Sequence, residues 1–360
     1  MVGSPTQTSI CLAGCTAAEH ANSGMCGWVG NESTIVRSRS NLTGELARRR
    51  AYGEAMVSPQ DAIKVVNDAF GRHPGYRALH AKGVLCRGTF TAGAKAAGLT
   101  RAAHMQGQPV PALIRFSNGS GKPNQPDFLP QVRGMAVKFS LPDGSRTDIS
   151  AQTARLFSSR TVEGFLEFVQ SAQPGVASFW RLPRFVVRHP EFLRTLPPNA
   201  VALKLPASYG SCGYHALHAF QWLDANGGSR YVRYHWLPEA GNAYLSPQTA
   251  RRLGRDYLTK ELTNRLDHDP VRFRLQVQVA GAKDSTTDPS APWNSKETVT
   301  VGTLEVTGME TERESEGGIV VFDPMRVTDG IAPSDDPILH FRTHAYSVSV
   351  EQRSGVARGE

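Results

Sequence analysis

Cysteine is scarce in this 360-residue chain: there are five, at irregular spacings. A disulfide-stapled scaffold is thereby excluded. Cys11, Cys15 and Cys26, with His20 nearby, match no closed zinc-site spacing. Long apolar runs are also missing, so no segment spans a bilayer and no membrane partner is expected. Leu12-Ala13-Gly14-Cys15 resembles a lipoprotein cleavage box, but the residues before it carry neither Lys nor Arg, and no apolar segment precedes it. No signal peptide is expected, and the setting expected is reducing and cytoplasmic. Blocks of one charge are absent too. Forty Lys and Arg against 32 Asp and Glu leave a net charge of +8, but the cations are mostly single arginines between apolar residues, with one cluster at Arg48, Arg49 and Arg50. That distribution argues against nucleic acid and suits a buried anionic ligand. There is no alternating βαβ pattern and no internal repeat. The one glycine-rich stretch, Asn118-Gly119-Ser120-Gly121-Lys122, lacks the spacing of a phosphate loop.

What the chain does have is strand periodicity, with helices inserted in blocks. Residues 1–55 are rich in Ser, Thr, Gly, Ala and Asn without periodicity, which predicts a poorly ordered extension followed by one domain over 56–360. Ser58-Pro59 reads as a helix cap and first turn, with Ala62, Val65, Val66 and Phe70 on one face. Residues 111–116, 134–141 and 299–306 read as strands. Residues 218–238 read as a hairpin about Asp224-Ala225-Asn226-Gly227-Gly228. Val271, Phe273, Leu275, Val277 and Val279 alternate strictly with Arg272, Arg274, Gln276 and Gln278. Helices are expected over 162–172, 179–187 and 247–266. The fold class predicted is α+β, an antiparallel β-barrel with inserted and flanking helices.

Three groups of residues point to chemistry. Arg342 and Tyr346 are four apart and share a face if helical. Tyrosine binds ferric iron only as phenolate, its free pKa is about 10, and a guanidinium within reach stabilises the anion. The same spacing also fits a surface pair. His80, in Arg77-Ala78-Leu79-His80-Ala81-Lys82-Gly83, is placed in a strand or extended segment, where a lone histidine is structural or an acid/base. Arg115 interrupts an apolar strand and needs an anion; with Arg77 and Arg353 it could face carboxylates such as the two propionates of haem. His215, His218 and His235 offer a metal cluster or structural roles, and His73, His104, His189, His340 and His344 read as solvated or packing residues.

These segments together resemble the haem catalases. RALHAKG, LIRFSNGSG, VRGMAVKFSLPDG, TVEGFLEF, the FW at Phe179-Trp180, YVRYHWLP and VVFDPMRVTDGIAPSDDPILHFRTHAY occur in that family's order and cover residues 76–353. The resemblance implies a catalase-type barrel that binds haem. It makes His80 the acid/base group and Tyr346 the iron ligand. It gives Arg342 the role of keeping the phenolate ionised, and Arg77, Arg115 and Arg353 the propionates. Ser117 would orient His80, and Phe157 and Phe165 would line the pocket on the peroxide side. The implied partners are a peroxide and a small organic electron donor, with a high-valent iron–oxo intermediate between them; a homo-oligomer stays open.

The departures matter as much. Where the family carries asparagine beside the distal histidine, this sequence has Gln152, followed by Thr153, and both are candidate catalytic residues. The family's N-terminal arm finds no match, and the chain ends 14 residues after Tyr346. These features resemble the short catalase-related peroxidases. The activity expected is reduction of organic hydroperoxides, with hydrogen peroxide a poorer substrate and low catalase turnover. The alternatives are a true catalase, an isomerase of fatty-acid hydroperoxides similar to allene oxide synthase, and a haem binder without activity.

Overall fold

The structure is a computed structural model. It describes residues 57–173, 178–310 and 319–354. The chain divides into Met1–Ala55 and Met56–Glu360. The first unit, for which the sequence predicts poor order, lies outside the described residues.

Alternation builds the barrel. Strands β1 (Gly83–Ala92), β2 (Val110–Asn118), β3 (Arg133–Ser140) and β4 (Arg146–Gln152) form an antiparallel meander. The short strand β5 (Leu205–Pro206) lies outside this sheet, and β6 (Tyr214–His215) continues it from β4. Strand β7 (Phe220–Leu223) pairs with β8 (Ser229–Pro238) in the hairpin read from the sequence. Strand β9 (Tyr244–Leu245) pairs with β5. Strands β10 (Val271–Val279) and β11 (Thr298–Met309) close the ring: β10 pairs with β8 on one side and β11 on the other, and β11 returns to β1. The result is an eight-stranded closed antiparallel barrel within an α+β chain. A last short strand, β12 (Ile331–Pro333), adds to β7.

On β10 the odd residues Val271 to Val279 are buried in the barrel while Arg272 and Arg274 are exposed, as period 2 requires. Phe116, Tyr209, Tyr214 and Phe273 pack together inside at centroid distances of 5.5–6.0 Å. Strand β2 departs from this pattern, because Arg115 and Ser117, on its outer face, are buried as well. A barrel strand buried on both faces must be covered outside: His80 lies against Ser117, Arg115 donates to the Ala81 carbonyl, and Phe322 packs with Leu85 and Leu113.

The helices are α1 (Pro59–Phe70), α2 (Val162–Ser171), α3 (Ser178–Arg188) and α4 (Glu191–Asn199), then α5 (Pro247–Leu253), α6 (Tyr257–Leu266) and α7 (Pro337–Ser354). Ser58 caps α1, its hydroxyl accepting from the Asp61 N–H at 3.0 Å, and Pro59 opens the helix. The single helix expected over 247–266 is two, because Gly254 adopts φ 98°, which ends α5. Helix α4 was not read from the sequence, where Pro197 and Pro198 obscure it. Helices α1, α2 and α7 meet in one apolar cluster containing Ala62, Val66 and Leu166, with Leu79, Phe165 and Phe341 against it. This cluster holds the segment before β1 beside the helix that ends the described chain.

Candidate active site

His80 is not in a strand. It sits in a bend before β1 with φ 56°, the one non-glycine residue in the left-handed region among those described. Such a conformation costs a non-glycine residue about 1–3 kcal/mol and persists only where its surroundings enforce it. Two backbone hydrogen bonds do so: His80 N–H donates to the Gly119 carbonyl at 3.3 Å and Ala81 N–H to that of Ser120 at 3.0 Å. The turn lays the imidazole against the outer wall of the barrel, where Nδ1 is 3.0 Å from Ser117 Oγ.

Strand register explains the seat. Gly83, Ser117, Gly134, Gln152 and His215 oppose one another in succession across β1, β2, β3, β4 and β6, so they form one row on one face. Gly134 is the low point of that row. A Cβ there would lie 2.7 Å from both His80 Nδ1 and Ser117 Oγ. Gly83 clears room for Arg115 in the same way, since its Cβ would stand 2.7 Å from the guanidinium. Burial pushes the His80 pKa down to about 3, helped by the charges of Arg115, Arg342 and Arg77. Its ring is therefore neutral near pH 7.

The second half of the site is on α7. Arg342 donates to the Tyr346 hydroxyl from Nε at 3.0 Å and Nη2 at 2.6 Å. Its Nη1 donates to His218 Nε2 at 3.0 Å, and His218 Nδ1 lies 2.6 Å from Asp336 Oδ2. A guanidinium can only donate, so Nε2 must keep its lone pair and the ring N–H belongs on Nδ1, facing the carboxylate. This makes His218 neutral, in keeping with a pKa lowered by burial, and the His218–Asp336 contact is a hydrogen bond rather than an ion pair. The other Asp336 oxygen accepts from the Ile338 and Leu339 N–H groups, at 2.9 and 3.3 Å, and so caps α7.

Sequence reasoning placed His218 with His215 and His235 as a metal cluster or as structural residues. The structure separates them: His215 and His235 pair through Nδ1 atoms 2.8 Å apart, while His218 turns to Asp336 and Arg342. No metal-holding group of three is found among the described residues. Asp336 was missed, although the Asp336-Pro337 pair that opens a helix was a readable signal. Thr153, the other candidate beside Gln152, is bonded to the start of β3. Its hydroxyl accepts from the Arg133 N–H at 3.0 Å and its own N–H donates to the Arg133 carbonyl at 2.9 Å. These bonds tie it to β3. Gln152 stays in the row. Phe157 and Phe165 lie together, ring centroids 4.9 Å apart, with Phe157 6.4 Å from the His218 ring. Arg353 falls on the last turn of α7, but its side chain lies outside the described residues.

The donor set fits a ferric porphyrin. Every charge that acts on His80 is positive, which suits a dianionic ligand such as one bearing two propionates. Two of those charges are Arg77, held to the Val320 carbonyl at 2.7 Å, and Arg115, held to that of Ala81 at 3.4 Å. A phenolic oxygen with two guanidinium donors suits an anionic iron ligand. Fold and site together define a barrel enzyme that carries an imidazole on its wall and a tyrosine–arginine pair on α7.

The family model for catalase matches residues 68–359, and the chain belongs to the catalase family. Members of that family are haem-dependent oxidoreductases acting on peroxide. Within it the likeness is to the short catalase-related peroxidases. The chain is 56% identical to one from Mycolicibacterium paratuberculosis over 84% of this chain and 97% of the relative. It is 28% identical to another from Synechococcus elongatus over 83% and 89%. Against catalase isozyme 1 of Nicotiana tabacum the identity is 25%, and 60% of that longer protein is covered. A fungal catalase structure superposes with a TM-score of 0.69 at 21% identity, covering 82% of this chain and 62% of that one, and supports the fold.

Proposed function

We propose that this chain is a haem-dependent peroxidase that reduces organic hydroperoxides in preference to hydrogen peroxide, drawing electrons from a small organic donor, with little catalase turnover. The observation that carries the preference is Gln152, in the row with Gly134 on which the His80 ring lies. A glutamine amide stands about 1.5 Å further from its backbone than the family's asparagine, one C–C bond. A group meant to hold hydrogen peroxide would then be displaced, and errors of about 1 Å can cost about a hundredfold in rate.

Bound haem supplies the redox-active iron against which a peroxide O–O bond is cleaved. Tyr346, Arg77 and Arg115 would hold it, with Arg353 a further candidate. The rest is done by side chains. His80 takes the proton from the inner peroxide oxygen and returns it to the departing one. For this its ring must be neutral, and the buried site keeps it so. Ser117 beside Nδ1 fixes the ring, leaving Nε2 for the peroxide. Arg342, steadied by His218 and Asp336, keeps its donors on the Tyr346 oxygen.

The test is a pair of assays on one batch of protein: oxygen release from hydrogen peroxide, and oxidation of a chromogenic donor with an organic hydroperoxide. Donor oxidation should exceed oxygen release. Fast oxygen release with negligible donor oxidation would make the chain a true catalase.

A further inference from the structure

The apolar surface of this protein is unevenly spread. Eight large apolar side chains are exposed between residues 179 and 203: Phe179, Trp180, Leu182, Val187, Leu193, Leu196, Val201 and Leu203. Phe179 is 74% exposed, Trp180 75% and Val187 81%. Helix α3 is anchored from beneath by Phe185, which is buried against Phe168 and Phe192 at 5.7 and 5.2 Å. The side facing water is nevertheless apolar. Phe179, Pro183 and Val187 follow an i, i+4, i+8 spacing and line one face, with Trp180 beside them. Arg181, Arg184 and Arg188 follow i, i+3, i+7 and line the flank.

Charge decides between the possible occupants of this face. Residues 178–204 carry Arg181, Arg184, Arg188, Arg194 and Lys204 against a single carboxylate, Glu191. Arg188 pairs with Glu167 and Arg194 with Asp288, but Arg181 and Arg184 are exposed and form no ion pair among the described residues. A second copy docked on this face by a two-fold axis would bring two net-positive patches together. An anionic lipid surface meets both features at once: phosphate and carboxylate headgroups for the arginines, and the headgroup–acyl boundary for Phe179, Trp180 and Val187. Surface docking needs no spanning segment, and no helix among the described residues is long and apolar enough to cross a membrane.

We infer that α3 is a membrane-surface docking element that seats the protein on anionic lipid through Phe179, Trp180 and Val187, steered by Arg181 and Arg184. It follows α2 in the chain, and α2 carries Phe165 of the candidate site. The inference stands whether or not the proposed peroxide preference does.

Co-sedimentation of the full chain with lipid vesicles tests it. The protein should pellet with phosphatidylcholine vesicles containing phosphatidylglycerol, release as salt is raised, and bind phosphatidylcholine alone at least about tenfold more weakly. The double variant Arg181→Glu/Arg184→Glu should lose at least about tenfold in partitioning, since each basic residue near an anionic surface is worth about 1 kcal/mol. Phe179→Ser/Trp180→Ser should also lose binding. The arginine pair, wholly on the surface, keeps the test valid if the apolar variant folds poorly. No binding by the wild type, or equal binding by wild type and both variants, overturns the inference. So does an oligomer in sedimentation velocity that Phe179→Ser/Trp180→Ser dissolves, which would make the face a contact between copies.

Discussion

Gly134 and His80 are matched by the absence of an atom: a Cβ at Gly134 would stand 2.7 Å from His80 Nδ1 and 2.8 Å from Cε1. The imidazole rests on the barrel wall because the wall is bare at that point. Gly134→Ala is therefore expected to lift the ring and break its contact with Ser117. Haem content should be kept, because Tyr346 and the arginines are untouched. The reaction with peroxide, followed by stopped-flow absorbance, should slow by about tenfold to a hundredfold. An unchanged rate would show that the ring needs no such seat.

His80→Ala removes the acid/base itself. The loss expected is about a hundredfold to ten-thousandfold in the reaction with peroxide, with haem still bound. Stopped-flow traces matching the wild type would make His80 a structural residue. Tyr346→Phe should behave in the opposite way and weaken haem retention, read from the haem-to-protein absorbance ratio after gel filtration.

Asp336 has two duties that substitution can separate. Asparagine still caps a helix well, so Asp336→Asn should melt close to the wild type. Its amide N–H group, however, would face the N–H of His218 and favour the other tautomer, leaving Arg342 opposite a donor. Haem retention should fall while the melting temperature holds. Asp336→Ala loses the cap and the histidine's partner together and should cost about 2 kcal/mol or more in stability. Equal haem retention in all three proteins would separate Asp336 from the Tyr346 site.

Buried neutral histidines set an acid limit. His104 stacks on Phe139 at 4.9 Å, and burial lowers its pKa from 6.5 to about 4. In the unfolded chain it titrates near 6.5, so below that pH the unfolded state binds a proton that the folded state refuses. Its contribution is whole above pH 6.5 and declines as pH falls towards 4, at about 1.4 kcal/mol per unit and about 3 kcal/mol in all. His235 shifts in the same direction, also to about 4. Thermal midpoints should drop below pH 6.5, and His104→Phe should flatten that drop. An identical pH profile for the variant would show that His104 already titrates in the folded protein.

How far the sequence carried these conclusions depends on range. Strand β10 was legible because its alternation is a local pattern. The motif order located His80, Ser117, Arg342 and Tyr346, which the fold brings together in two hydrogen-bonded groups. Closure of the ring by β10 against β8 was not legible, since nothing local records the partner of an outer strand. The left-handed turn at His80 was read as extended, because its cause is a pair of bonds to the Gly119–Ser120 loop. His218 was grouped with His215 and His235, as a metal cluster or as structural residues, whereas its partners lie 118 and 124 residues away.

The choice between peroxide substrates rests on Gln152. In the barrel row it opposes Gly134 on one side and His215 on the other, and it is half-buried. Gln152→Asn draws the amide back by about 1.5 Å while keeping its chemistry. If that amide decides the fate of hydrogen peroxide, oxygen release on an oxygen electrode should rise about tenfold or more, and donor oxidation with an organic hydroperoxide should change little, since His80 and its seat are intact. Gln152→Ala should leave oxygen release low, because it restores no donor. That pattern would fix the preference in one side chain. If Gln152→Asn released oxygen no faster than the wild type, the preference would have to come from access to the haem rather than from the Gln152 amide, and Gln152 would lose its place in the mechanism.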